Sequence, residues 1–155
     1  MKLNIFFPVM FAAASLFAMA TLASADQAGE GESPLACPIS GKAVNPGITT
    51  EYRGGTIAFC CAGCVAPFRE NTEKYATQAN RQLVRSGQAE QVGCPITGRP
   101  VSPDQSVEVA GVEVHFCCGG CKAKVVKAED PEKLVFNDDG FQRAYEVSNE
   151  EESEQ

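Results

Sequence analysis

The sequence predicts an α+β protein that is built from two small modules in tandem. An internal repeat supports this prediction first: residues 37–64 and residues 94–121 align without a gap, and 13 of the 28 positions are identical. Within each copy, apolar and polar residues alternate as in a β-hairpin, and a helix-forming composition follows. The 8 cysteines of the chain are divided equally between the copies. They are Cys37, Cys60, Cys61 and Cys64 in the first copy and Cys94, Cys117, Cys118 and Cys121 in the second.

Residues 1–25 have the pattern of a secretory signal peptide. Lys2 precedes an apolar stretch from Ile5 to Leu22, and an Ala-Ser-Ala cleavage pattern follows it. A retained membrane anchor is the alternative, because the stretch is nearly long enough to span a bilayer. We expect cleavage, since the stretch is rich in alanine, contains Pro8 and leads directly into the cleavage pattern. The protein is therefore expected to be periplasmic or secreted, without membrane insertion after signal cleavage.

The charge of the remaining chain limits its partners. Removal of residues 1–25 leaves 12 basic and 20 acidic residues, a net charge of −8. Nucleic acid and anionic membranes need a basic surface, so neither is an expected partner. Residues 26–34 are predicted to be a flexible leader. Residues 148–155, with four glutamates and no apolar side chain, are predicted to be a disordered acidic tail.

The hairpin pattern is clearest in the second copy, around a predicted two-residue turn at Ala110-Gly111. Four valines then share one face of the hairpin, and two glutamates share the other. The valines are Val107, Val109, Val112 and Val114, and the glutamates are Glu108 and Glu113. The first copy repeats the pattern more weakly, with a turn at Arg53-Gly54 and with Tyr52, Ile57 and Phe59 on the inner face.

A predicted helix follows each cysteine cluster. In the first copy it runs from Val65 to about Leu83, where Pro67 is tolerated in the first turn. In the second copy one helix runs from Lys122 to about Ala128, and a second short one starts at Pro131 and ends at Phe136. Each module thus contains a Cys-Pro-x-x-Gly turn, a hairpin, a cysteine cluster and a helix. The modules are predicted at residues 35–88 and 89–147.

This order of elements is typical of a treble-clef or zinc-ribbon metal site. The turn presents one thiolate, and the start of the helix presents others from positions three and four residues apart. The commonest zinc knuckle has a second cysteine in the turn, where this chain has Ser40 and Thr97. Each site therefore offers three well-spaced thiolates and one adjacent cysteine, Cys61 or Cys118. A closed four-thiolate site suits Zn(II), and an open three-thiolate site suits Cu(I).

The turn C-P-I-[ST]-G, the hairpin and the motif F-C-C-x-G-C resemble the YHS and TRASH-like families of small cysteine domains. Their core pattern is a cysteine, about 20 residues and C-x3-C, which three cysteines of each copy match: Cys37, Cys60 and Cys64, and Cys94, Cys117 and Cys121. Residues 130–133, Asp-Pro-Glu-Lys, resemble the usual ending of the family. The resemblance covers roughly residues 35–80 and 92–137. It implies a treble-clef-like fold and a role in heavy-metal sensing, transport or resistance. Many relatives have serine at the positions of Cys61 and Cys118.

Two other functions compete with metal binding. A disulfide-stabilised interaction module fits a small exported chain with an even number of cysteines, but three of the four cysteines of each copy crowd into five residues. A thiol–disulfide oxidoreductase could use the C-x2-C pairs that end at Cys64 and Cys121, but the βαβ context of such enzymes is missing. His115, the single histidine, is a further candidate ligand, although a position on an exposed strand face is favoured.

The sequence therefore predicts a metal-binding protein that is not an enzyme. It would buffer, deliver or detoxify a soft ion, Zn(II) or Cu(I), at about two ions per chain, one for each module. All eight cysteines are candidate ligands. A membrane metal transporter or another metalloprotein is the expected partner.

Overall fold

The computed structural model describes residues 35–148. The predicted signal peptide, the predicted leader and the acidic tail beyond Ser148 lie outside these residues. Within the described range the strands are β1 (Asn45–Tyr52), β2 (Gly55–Phe59), β3 (Ala89–Gln91), β4 (Ser102–Val109), β5 (Val112–Phe116) and β6 (Tyr145–Val147). The helices are α1 (Val65–Glu70), α2 (Thr72–Arg85), α3 (Gly119–Val126), α4 (Pro131–Phe136) and α5 (Asp138–Ala144), with a 3-10 turn at Ala62–Cys64. This mixture agrees with the predicted α+β class.

The two predicted hairpins form at the predicted turns. β1 pairs with β2 and β4 pairs with β5, both antiparallel. Arg53 and Gly54 have φ of 54° and 83°, and Ala110 and Gly111 have φ of 50° and 79°. Positive φ at both central residues is the type I′ geometry, which matches the right-handed twist of the strands. Both hairpins also carry an irregularity at equivalent positions, between residues 45 and 49 and between residues 102 and 106. The sequence repeat is therefore a structural repeat.

The sequence predicts one continuous helix from Val65 to about Leu83, and this prediction is wrong. The segment is two helices, α1 and α2, that are separated at Asn71, where φ is −147° and ψ is 65°. The Oδ1 atom of Asn71 accepts a hydrogen bond from the backbone N–H of Lys74 at 3.3 Å, so Asn71 caps α2. In the second repeat α3 begins at Gly119, three residues before the predicted start, and α4 has the predicted bounds.

The C-terminal part of the chain adds elements that the sequence did not predict. Asn137 caps α5 by accepting a hydrogen bond from the N–H of Gly140 at 2.7 Å. After α5, strand β6 returns to pair antiparallel with β3, the segment that connects the repeats. The end of the second repeat is therefore hydrogen-bonded to the connection that precedes it.

Both repeats contribute to a shared hydrophobic core. Phe59 and Phe68 of the first repeat and Phe116 and Phe136 of the second are among its fully buried side chains. Asn80 on α2, also fully buried, donates a hydrogen bond from Nδ2 to the carbonyl oxygen of Phe136 at 2.9 Å. Helices of the two repeats are thus joined by apolar packing and by a buried polar contact. None of the helices between residues 35 and 148 has the length and hydropathy that a bilayer span requires.

Glutamine side chains cover the outer edges of β2 and β5. In each case the amide oxygen accepts from a backbone N–H, and the amide nitrogen donates to the carbonyl of the same residue. The pairs are Gln82 with Ala58, Gln88 with Thr56 and Gln91 with His115, at 2.6–3.0 Å. The amides thereby satisfy backbone groups that an edge strand would leave unpaired. They also fix the strands that lead directly into the two cysteine clusters.

Candidate metal centre

Among the described residues, two sets of three cysteines converge. In each set the Sγ atoms all lie within 4.8 Å of one another. The inner set of the first repeat is Cys37, Cys60 and Cys64, and that of the second is Cys94, Cys117 and Cys121. All eight cysteines lie within the described residues and are free thiols. The sets consist of the cysteines that match the C-x3-C pattern and its preceding turn.

The first cysteine of each set lies in a tight turn. The N–H of Cys37 donates to the carbonyl of Lys42 at 2.8 Å, and the N–H of Gly41 donates to the carbonyl of Cys37 at 2.9 Å. Gly41 has φ of 69°, a left-handed conformation that glycine adopts without strain. The same turn recurs at Cys94, with Gly98 at φ 72°. Both turns place the cysteine side chain in the interior, where Cys37 is 2% and Cys94 is 0% exposed.

The other two cysteines of each set come from the strand end and the start of the helix. β2 ends at the buried Phe59, so Cys60 stands at the point where the chain leaves the hairpin. Cys64 ends the 3-10 turn directly before α1. In the second repeat Cys117 follows β5 in the same way, and Cys121 lies in the first turn of α3. A strand and a helix therefore bring sulfurs four residues apart together.

The distances between sulfur atoms match shared coordination of a metal ion. Cys60 and Cys64 are 3.7 Å apart at Sγ, and Cys117 and Cys121 are 3.6 Å apart. A disulfide requires about 2.05 Å. Two thiolates that bind one tetrahedral ion with bonds of about 2.3 Å lie about 3.8 Å apart. The residues present thus fit a thiophilic metal ion.

Cys61 and Cys118 lie beside these sets without belonging to them. The Sγ of Cys61, which is exposed, is 3.8 Å from that of Cys60 and 3.7 Å from that of Cys64. The Sγ of Cys118 is 3.9 Å from that of Cys117 and 3.8 Å from that of Cys121. Each predicted cysteine is therefore placed at its cluster, as three converging sulfurs and one outer neighbour.

The residues at the missing knuckle positions have a role that the sequence did not indicate. The Oγ of Ser40 lies 3.2 Å from the Sγ of Cys60, and the Oγ1 of Thr97 lies 3.3 Å from the Sγ of Cys117. A hydroxyl that donates to a thiolate stabilises the charged form. The clue in the sequence was that both residues are small hydroxyl side chains at the same position of the repeat.

The thiols of the first set have strongly different acidities. Burial raises the pKa of Cys37, but backbone N–H groups, those of Cys60 and Ser40 foremost, and the Ser40 hydroxyl outweigh it and lower the pKa to about 6. The pKa of Cys64 is raised to about 12, mainly by burial and also by hydrogen bonds with Cys60, Cys61 and Cys37. In the metal-free first set, a thiolate is therefore stabilised by hydrogen bonds from neighbouring thiols that stay protonated. A metal ion that binds all three sulfurs must displace the remaining protons.

The second set differs from the first because it has a cation, Arg99, beside one of its sulfurs. A hydrogen bond with the Thr97 hydroxyl lowers the pKa of Cys117, and burial raises that of Cys121 to about 12. The Nη2 atom of Arg99 lies 3.5 Å from the Sγ of Cys117, and this contact raises the pKa of the guanidinium. Lys42 occupies the corresponding position in the first repeat. The second set therefore has a fixed positive charge beside the half-buried sulfur of Cys117.

His115 does not join the second set. The exposed strand face favoured by the sequence is wrong, since His115 is half-buried on β5 and its backbone is paired with Gln91. Its Nδ1 atom is buried and has no hydrogen-bond partner among the described residues. The converging set of the second repeat contains sulfur ligands and no imidazole.

A scan against protein-family models, a search of curated proteins and a search of solved structures each found no match. The resemblance to the YHS and TRASH-like families therefore stays a prediction from the sequence motifs.

Proposed function

We propose that this chain is an exported metal-binding protein that buffers, delivers or detoxifies a soft metal ion, Cu(I) or Zn(II), through cysteine thiolates. The observation that carries the proposal is the duplicated set of three sulfurs within 4.8 Å of one another. Soft thiolate ligands select Cu(I) and Zn(II) over hard cations. The turn, hairpin and helix around each set also support a treble-clef-like module of the YHS or TRASH type.

The burial of the sulfurs supports exchange of the ion with a partner. Cys37 and Cys64 are buried, whereas Cys60 is half-buried and Cys61 is exposed. An ion would thus be held from the interior and be reached from solvent by a competing thiolate. A membrane metal transporter or another metalloprotein in the periplasm or outside the cell would be the donor or acceptor. We infer binding instead of catalysis, because His115, the single histidine, lies outside the sulfur sets.

Anaerobic purification followed by metal and thiol analysis tests this proposal. We expect about two Zn(II) ions per chain, and on chelation a partial loss of helix and a lower free energy of unfolding of the fold that remains. The double substitution Cys37→Ser and Cys94→Ser should abolish Zn(II) binding, because it removes the buried turn sulfur of each converging set. The matched control, Cys61→Ser with Cys118→Ser, should keep two Zn(II). A chain with four disulfides and no bound metal would refute the proposal and favour a disulfide-stabilised interaction module.

A further inference from the structure

Each repeat contains two sulfur triangles that share an edge. The inner triangle of the first repeat is the set of Cys37, Cys60 and Cys64. The outer triangle is formed by Cys60, Cys61 and Cys64, with Sγ–Sγ edges of 3.8, 3.7 and 3.7 Å. The edge between Cys60 and Cys64 belongs to both. The four sulfurs therefore form two adjacent three-sulfur sites, and not only one site with a spare cysteine.

Both triangles have the size of a three-coordinate thiolate site. The centre of the outer triangle, from its edges of 3.7–3.8 Å, lies about 2.2 Å from each sulfur, against about 2.3 Å for a metal–thiolate bond. For the inner triangle, the 3.7 Å edge and the 4.8 Å limit place the centre at most about 2.6 Å from each sulfur. Small side-chain rotations are enough to close this difference.

The second repeat forms the same arrangement independently. Its outer triangle has edges of 3.9, 3.6 and 3.8 Å, and it shares the edge between Cys117 and Cys121 with the inner triangle. Fewer than half of the aligned positions are identical between the repeats. The edge-sharing geometry is therefore a property of the motif, and it includes the adjacent cysteine in both copies.

We propose that each repeat holds two Cu(I) ions, one in each triangle, with the sulfurs of the shared edge bridging them. This inference rests on the proposed function and gives the outer cysteines, Cys61 and Cys118, a role as ligands of the second ion. Cu(I) accepts three thiolates in a plane, whereas Zn(II) takes four ligands in a tetrahedron. One repeat therefore binds two Cu(I) ions but one Zn(II) ion.

The charges permit the second Cu(I) ion. One Cu(I) held by the three thiolates of the inner triangle leaves a net charge of −2, and a second Cu(I) replaces the proton of the outer thiol, so the net charge stays at −2. Binding releases the thiol protons to solvent and transfers no electron. The inner triangle is completed by a buried sulfur, that of Cys37 or Cys94, whereas the outer triangle is completed by Cys61, which is exposed, or by Cys118, which is half-buried. The outer ion is consequently the one that a partner exchanges first.

The test is an anaerobic Cu(I) titration of the full chain against a chromophoric Cu(I) chelator, in parallel with a Zn(II) titration. The native protein should bind about four Cu(I) ions, the variant Cys61→Ser about three, and Cys61→Ser with Cys118→Ser about two. All three should bind about two Zn(II), which shows that the clusters are intact. X-ray absorption should show a copper–copper vector in the native protein that the double variant lacks.

The outcomes separate this inference from the proposed function. Two Cu(I) and two Zn(II) in the native protein would overturn the second copper position and leave the proposed function standing. Four Cu(I) in the double variant would show that Cys61 and Cys118 are not ligands, which also overturns it. Binding of neither metal would remove the proposed function and the inference together.

Discussion

Gln82 on α2 attaches the first cysteine site to the helices, and its replacement by alanine tests that attachment. The side chain is 3% exposed. Its Nε2 atom donates to the carbonyls of Ala36 and Ala58 at 2.9 and 3.0 Å, and its Oε1 atom accepts from the N–H of Ala58 at 2.7 Å. Ala36 directly precedes Cys37, and Ala58 lies two residues before Cys60. One side chain therefore holds both chain segments that supply the first sulfur set.

The structure sets the expected magnitude. Each hydrogen bond contributes about 1 kcal/mol net, and truncation of Gln82 removes three. The free energy of unfolding should fall by about 3 kcal/mol, because the backbone groups that remain are poorly placed to find water. The Zn(II) affinity of the first site should also fall. The second site, whose strand is held by Gln91, should keep its affinity.

Guanidinium unfolding of the reduced, metal-free protein, followed by circular dichroism, measures the first effect, and Zn(II) titration measures the second. Gln142→Ala is the matched control, since this residue lies on α5 with an exposed side chain. Its free energy of unfolding should stay within about 0.5 kcal/mol of the native value. The reasoning fails if Gln82→Ala behaves like the control, or if both metal sites weaken equally.

Three further predictions follow from the site and the packing. The pKa of Cys37 is about 6 in the fold and 9.0 in the unfolded chain. Its thiolate therefore stabilises the metal-free fold fully above pH 9.0, and this contribution is lost as the pH falls through about 6. Unfolding measured across that range should show a slope that Cys37→Ser lacks. Gly140→Ala should lower the free energy of unfolding, measured by thermal denaturation, by about 2 kcal/mol, because a Cβ would collide with the carbonyl oxygen of Val135. Arg99→Gln should lower the Zn(II) affinity of the second site, because it removes the cation beside Cys117, and the decrease should be smaller at high salt.

Each of these predictions has a clear contrary result. An identical pH slope in Cys37→Ser would show that another group titrates. Native stability in Gly140→Ala would show that α5 has room for a side chain. For the cation, Lys42→Gln is the matched control in the first repeat and should leave the second site unchanged. Equal effects of both substitutions on the second site would remove the argument for a local charge.

The hairpins were predictable because their signals are local. Positive φ at Arg53-Gly54 and at Ala110-Gly111 follows from turns that are framed by alternating residues. Val109, Val112 and Val114 are buried as the alternation requires. The duplication strengthened both predictions, since a weak pattern in one copy was supported by a clearer one in the other.

The rest of the fold depends on tertiary contacts that the sequence pattern does not contain. The break at Asn71 lies in a segment of helical composition, and it is stabilised by a cap whose donor is the backbone of Lys74. β3 and β6 are three residues long each and pair across the second repeat, so neither has a recognisable period. α5 was missed because Gly140 lies inside it, although Asn137 is a typical cap.

The membership of the site was predictable, but its internal order was not. Spacing of three and four residues predicts that the sulfurs of each cluster meet. It does not show that Cys37 and Cys94 close the inner sets while Cys61 and Cys118 stay outside. Nor does it show that Ser40 bonds to a sulfur, since that contact depends on how the turn packs against the strand end.

X-ray absorption of the zinc-loaded protein tests the central claim most directly, because it counts the atoms bound to the ion. The account predicts at least three sulfur neighbours per zinc at about 2.3 Å, supplied by the converging sets of the two repeats. Zinc that is surrounded by oxygen or nitrogen at about 2.0–2.1 Å would contradict it, since such an ion would lie outside the cysteine clusters.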